Sequence, residues 1–406
     1  MKILILTQYY PPETGAPQNR LHELALELIK LGVEIEVLTA MPNYPKMEIF
    51  NDYRGKKFLT EKIDGITVYR SSIYVKKSKK ILFRLVNYFS FVFSSMWYGS
   101  RKLPKYDFIL VESPPLFLGI SGYFLAKRKK AKLIFNVSDL WPESAEKMGL
   151  VSNKLFLKAA TILEEFLYKK SILITGQTQG IVKNIKNRFP NKNVYWLPNG
   201  VDLTLYNPEN IESNWRKEKG FEDNDILLIY AGIIGHAQGL EVILKAADIL
   251  KNEQNIKFLL IGDGPVKNDL LEMQKKHNLE NVVFYDSVPK GEISKIIKSS
   301  DGTIIPLKKI PLFEGAIPSK IFENLAMKKP IILGVIGEAK ELFIEEANAG
   351  IAFEPENEHE LVKAIRCFIS EKEKIKELGE NGRTYVNKKF NRSIIAKKLF
   401  NELTKL

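Results

Sequence analysis

Cysteine and histidine are nearly missing from this chain, at one and four in 406 residues. A lone Cys367 cannot close an internal disulfide and fits a reducing compartment. There is no H-E-x-x-H and no Cys/His ligand cluster, so no metal is expected; the run Asp223-Asn224-Asp225 reads as a turn before a strand. A P-loop and a G-x-G-x-x-G are also absent, which disfavours a nicotinamide-type site. The apolar run at 3–6 is too short for a secretory signal and reads as a first buried strand. Acidic residues are absent from 76–105, where eight Lys or Arg occur.

What remains is globular in composition, 45% hydrophobic and 27% charged, and the length predicts two domains. A net charge of +13 implies a polyanionic partner, nucleic acid or anionic lipid headgroups. The basic clusters of 76–105 flank an apolar segment, which is a membrane-surface pattern, and no nucleic-acid-binding module is present.

Short apolar runs at 2–7, 33–39, 66–70, 107–112, 132–137, 171–175 and 194–197 predict buried strands. Helical periods fall between them at 17–31, 81–101, 153–169 and 178–188. This alternation predicts an α/β domain, a doubly wound parallel sheet covered on both faces. After Leu197-Pro198-Asn199-Gly200 the pattern restarts, with strands at 225–231, 256–261, 281–285, 302–306 and 330–333. Helices are predicted at 239–251, 265–277, 291–299 and 318–328, with one or two charged helices after 371. The expected domains are 1–200 and 201–384, with 385–406 crossing back onto the first. Two such domains would face each other across a central cleft.

Four motifs carry chemistry. In "PPETGAPQNRL", Gly15 lies between a strand and a helix N-terminus suited to a phosphate or sugar hydroxyl. In "YAGIIGHAQGLEVIL", Gly232, Gly235 and Gly239 let the backbone approach a diphosphate closely. In "LIGDGP", Gly262, Asp263 and Gly264 sit at a strand end and, with Val288, would line a base pocket. In "LFEGAIPSKIFENLAMKKPIIL", a helix starting near Pro318 presents Ser319, Lys320 and free N–H groups. Lys320 can neutralise a diphosphate there. Glu323, one turn on, can accept both ribose hydroxyls, and Glu314 could reach sugar hydroxyls. The plainer reading makes Lys320 and Glu323 a solvated i,i+3 pair.

With "LPNGVD" these motifs resemble the retaining glycosyltransferase family 4 of the two-domain GT-B fold, over nearly the whole chain. More narrowly, "SDLWPES", "AGIIGHAQGL" and "PSKIFENLAMKKPII" resemble the branch of L-fucosamine transferases of surface-polysaccharide assembly. The resemblance implies a metal-independent transfer from a UDP-N-acetyl-sugar to a polyprenyl-diphosphate-linked saccharide, with retention. It gives Glu323 the ribose, as the second glutamate of an E-x7-E motif. The chain departs from the family at three places. Gly315 stands where the first glutamate belongs, Ile233 and Gln238 replace the Arg/Lys phosphate clamp, and Ser138 precedes Asp139 where relatives carry His. Lys320 then becomes the main cation for the diphosphate, and Asp139 the polar group facing the transferred sugar or acceptor.

Between 81 and 98 apolar residues form one helical stripe, with Arg84, Asn87, Ser94 and Ser95 on the other side. Seven aromatics, including Phe83, Phe89, Phe93 and Trp97, suit an interfacial helix attached peripherally to the inner face of the cytoplasmic membrane. Packing of that stripe on the first sheet is the alternative. A UDP-sugar 2-epimerase of the same architecture, or an inactive binding paralogue, are the rival functions.

Overall fold

The computed structural model describes residues 1–13, 15–78, 81–147, 149 and 151–406. Thr14 of the first-loop motif and Lys79 and Lys80 of the basic run lie outside the described residues. The chain divides into two compact units, Met1–Asn199 with Arg392–Leu406, and Gly200–Asn391. The return to the first unit begins at Arg392 rather than 385, because the residues before it complete a helix of the second unit.

The first unit is built on eight strands: β1 (Lys2–Leu6), β2 (Glu34–Ala40), β3 (Phe58–Ile63), β4 (Ile66–Ser71), β5 (Phe108–Ser113), β6 (Lys132–Val137), β7 (Leu173–Gly176) and β8 (Val194–Trp196). Their order is β3-β4-β2-β1-β5-β6-β7-β8, parallel except for the β3–β4 pair. Its helices are α1 (Ala16–Lys30), α2 (Ile81–Lys102), α3 (Leu118–Lys129), α4 (Glu143–Lys147), α5 (Lys154–Lys170) and α6 (Gln179–Arg188). Alternate strand residues bury opposite ways. Ile3 and Ile5 meet α1 and the C-terminal helix Arg392–Thr404, while Leu4 and Leu6 meet α2, α3, α5 and α6.

The second unit holds β9 (Ile226–Ala231), β10 (Ile256–Ile261), β11 (Val282–Tyr285), β12 (Gly302–Pro306), β13 (Ile331–Gly334) and β14 (Gly350–Ala352). All are parallel, in the order β11-β10-β9-β12-β13-β14. Helices Glu241–Ile249, Lys267–Lys276 and Glu358–Ser370 cover one face, on Leu228, Tyr230, Phe258 and Leu260. Strand order reverses between β1 and β5, and between β9 and β12, so the carboxyl ends there are where each unit can take a ligand.

Helix α2 turns part of its apolar stripe outward, as an interfacial helix requires, and part of its polar side into the unit. Asn87 and Ser95 are buried, with Asn87 bonded to Gln8 and Tyr74 and Ser95 to Ser121. Small residues allow this close approach: a Cβ on Gly99 would meet the Leu125 methyls at 3.0 Å. Leu82, Val86, Phe93 and Trp97 consequently face solvent. Phe83 lies under the Lys76 ammonium at 4.1 Å and Phe89 packs on Phe117 at 4.8 Å, so neither stands out with Phe93 and Trp97.

The loops after β9 and β10 continue the ladder beyond the sheet. Gly232 N donates to the Ile261 carbonyl, and Ile234 N to that of Asp263, both at 2.9 Å. They run so close that a Cβ on Gly262 would lie 1.9 Å from the Gly232 oxygen, and one on Gly264 2.2 Å from that of Ile234. Gly262 also has φ +149°, where an L side chain is strained. Gly262→Ala should therefore cost more than about 1 kcal/mol in urea unfolding; a wild-type midpoint would show that the loops have room to part.

Candidate functional site

At the switch point of the second unit, Lys320 opens the short helix Lys320–Ala326. Its Nζ stands 3.9 Å from the centroid of the buried Tyr230 ring and 3.1 Å from where a Cβ of Gly232 would be. The ring is held in turn, since Tyr230 donates its hydroxyl proton to the Ile233 carbonyl at 2.6 Å. Although part of the side chain is open to solvent, the ammonium is enclosed, and burial lowers its pKa from 10.5 to about 7, opposed by the charge of Glu323. An ammonium made costly by burial is one that a phosphate oxygen would stabilise strongly.

Gly232 lies beside that amine, the loop ladder ties Gly262, Asp263 and Gly264 to Gly232 and Ile234, and Ser319 and Glu323 share the helix of Lys320. Lys267, which the sequence did not single out, ties this group to the strand beyond. It donates to the Gly262 carbonyl at 3.0 Å and to Asp286 at 2.7 Å. Val288 stands apart from it, in a cavity of about 740 Å³ with Trp215, Tyr285, Asp286 and Lys295, which none of the glycines or Lys320 lines. Gly235 is buried at the start of the turn His236–Gln238. Glu314 is exposed on the turn Pro311–Gly315, whose backbone abuts Gly337. A side chain on Gly315 would meet open space, so packing does not exclude a glutamate there. Ile233 is 59% exposed.

The first unit carries a polar constellation that the sequence did not reveal. Arg20, on α1, donates to Glu112 of β5 at 2.5 Å, to Ser138 Oγ at 2.7 Å and to Gln177 at 2.7 Å. Ser138 also donates to Glu112, as does Asn136, which accepts from Thr175 at 2.6 Å. Arg20 and Glu112 are almost fully enclosed, and they fasten α1 to the carboxyl ends of β5, β6 and β7. Their positions, far apart in sequence, leave no local signal. Ser138 is thereby fixed beside Asp139. Burial raises the pKa of Asp139, opposed by the Ser144 hydroxyl, which donates to it at 2.7 Å.

Glu13, in the motif that contains Gly15, is likewise buried. Its carboxylate accepts the backbone N–H of Tyr10, Asn43 and Tyr44, joining the loops after β1 and β2. Burial raises its pKa while those three bonds hold it down. Gly15 begins α1, and a Cβ there would meet Gln18 Oε1 at 2.5 Å.

A family model described as Glycosyl transferase 4-like domain matches residues 15–200, and one described as Glycosyl transferases group 1 matches 211–385. The chain belongs to the GT-B glycosyltransferases. This glycosyltransferase is 26% identical over 379 residues to WcaI of Escherichia coli K12, named for colanic acid biosynthesis, covering 90% of this chain and 91% of that one. Its fold is similar to that of Anabaena Alr3699/HepE, solved with UDP and glucose, at a TM-score of 0.73 and 18% identity over 100% of both chains. It is also similar to WaaG, a glycosyltransferase involved in lipopolysaccharide biosynthesis, at a TM-score of 0.68 and 16% identity over 97% and 98% of the two chains.

Glu112→Gln leaves the Arg20 charge buried without its counter-charge, so urea unfolding should show a loss of about 3 kcal/mol or more; a loss under about 0.5 kcal/mol, typical of a surface change, would contradict the role given to the pair. At Lys320 the binding of a diphosphate should weaken as pH rises. Below about 7 the amine is already charged, whereas above it a diphosphate must bring a proton in with it. The UDP dissociation constant should rise by up to about tenfold per pH unit above that point. A flat profile in the wild type, or the same slope in Lys320→Met, would contradict the assignment.

Proposed function

We propose that this glycosyltransferase transfers an N-acetylated amino-deoxy hexose, of the L-fucosamine type, from UDP to a saccharide carried on polyprenyl diphosphate. Its place is bacterial surface-polysaccharide assembly, at the inner face of the cytoplasmic membrane. The observation that carries this reading is the enclosed ammonium of Lys320 against the glycine loop at Gly232. As the bond from the anomeric carbon to the diphosphate breaks, charge grows on the leaving oxygen. Lys320 and backbone amides fixed beforehand stabilise that charge without solvent reorganisation and without a metal ion.

In this scheme Glu323 takes the ribose and Ser319 and the Gly235 amides the diphosphate. The loop from Gly262 through Asp263 to Gly264 takes the base, without Val288, which lines a separate cavity; Gly15 and Glu314 take the sugar, and Asp139 the reacting face. Retention follows the family resemblance. WcaI's naming for colanic acid, HepE's complex with UDP, and WaaG's part in lipopolysaccharide biosynthesis support the donor and the pathway class. No helix among the described residues is long and apolar enough to cross a membrane. Attachment is assigned to α2, whose exposed Phe93 and Trp97 lie beside Arg101, 4.5 Å from the Trp97 ring.

Lys320→Ala should lower turnover by about tenfold to a thousandfold, and near-normal turnover would remove Lys320 from the role. In a thermal-shift panel UDP and UDP-N-acetyl-hexosamines should raise Tm more than GDP and its sugars; preference for GDP would overturn the donor assignment.

A further inference from the structure

The α2, α3 and α5 helices lie in one layer on the same face of the first sheet, so their outer sides point the same way. Rings link them beneath the surface: Phe117 touches Phe89 of α2 and Phe156 of α5, and Tyr123 of α3 touches Phe166 of α5. Helix α5 is apolar on two sides. Leu157, Ala160 and Leu167 face the core, whereas Leu155 is 81% and Ile162 60% exposed, with Phe166 one turn further on the same stripe. Phe124 of α3 is exposed between them and the four outward residues of α2.

The contrast with the rest of the molecule decides what this means. Of fifteen exposed large hydrophobic side chains among the described residues, eight lie on these three helices. The opposite layer, α1 with Arg392–Thr404, shows only Ile29 among them. An apolar surface concentrated this way is an interaction site rather than scatter.

Charge selects the partner. Helices α2 and α3 carry six Lys or Arg and no acidic residue, and α5 carries four lysines against two glutamates. Glu164 is buried against Arg188, and Glu165 has Lys169 at 3.4 Å. A second copy seated on this face would set cations against cations. An anionic lipid surface supplies both the apolar phase and the counter-charge.

We infer that the outer face of the whole α2–α3–α5 layer lies on the bilayer, with Leu155, Ile162 and Phe166 of α5 as a second membrane contact beside α2. This rests on the peripheral attachment proposed above and extends it. Two contacts on separate helices fix the sheet against the membrane plane, whereas α2 alone would leave the unit free to roll about one axis.

Full-length protein is sedimented with phosphatidylcholine vesicles, with and without phosphatidylglycerol. The variants are Leu155→Glu/Ile162→Glu and Phe93→Glu/Trp97→Glu, at exposed positions, with Tm confirming that each folds. Both pairs should weaken binding to the anionic vesicles by at least about tenfold, and high salt should do the same. If the α5 pair binds like wild type while the α2 pair is lost, the second contact is wrong and the attachment stands. If wild type fails to bind, the attachment itself falls. A dimer in solution that the α5 pair dissociates would show that this face belongs to a second copy, and overturns the inference.

Discussion

The ammonium of Lys320 lies between an aromatic ring and a glycine, and much of the second unit serves to keep it there. Tyr230 can offer its face because its hydroxyl is spent on the Ile233 carbonyl, and Gly232 leaves the space that Nζ occupies. The two glycine loops zip together so tightly that side chains at 262 or 264 would strike backbone. Behind the helix that carries Lys320, Phe322 packs on Phe343 and Phe390, and Arg383 donates to the Ala326 carbonyl at the helix end at 2.6 Å. A site that keeps a cation partly desolvated has already met the cost of excluding water, so an arriving anion gains most of the Coulombic attraction.

The first unit uses the same device with the opposite outcome. Arg20 and Glu112 are buried as well, but they satisfy each other and three neighbouring side chains, Ser138, Gln177 and Asn136, so their charges are consumed in holding strand ends in register. Glu13 spends its carboxylate on three backbone amides and shapes the first loops. These side chains position others, whereas Lys320 is held ready.

The strands were legible in the sequence because buried parallel strands are near-continuous apolar runs; 256–261 and 302–306 fall where they were expected. What escaped has identifiable causes. The edge strand β3 alternates exposed and half-covered residues and includes Glu61 and Lys62, so no apolar run marks it. Helix α3 has no place among the expected helices; it contains Gly119 and Gly122, poor helix formers that are there because Leu167 and Val111 leave no room for a Cβ. The stripe of α2 was visible and part of it faces outward, but the burial of its polar side was not legible, since hydrogen-bonded Asn87 and Ser95 can be buried as well as any leucine. Lys320 and the glycine loops were named from motif spacing. The Arg20–Glu112 pair joins residues 92 positions apart and required the fold.

The structure of the complex with UDP tests the central claim most directly. Diphosphate oxygens should lie within hydrogen-bond distance of Lys320 Nζ, drawn off the Tyr230 ring, and the ribose hydroxyls on Glu323. A diphosphate bound elsewhere, with Lys320 still resting on the ring, would contradict it.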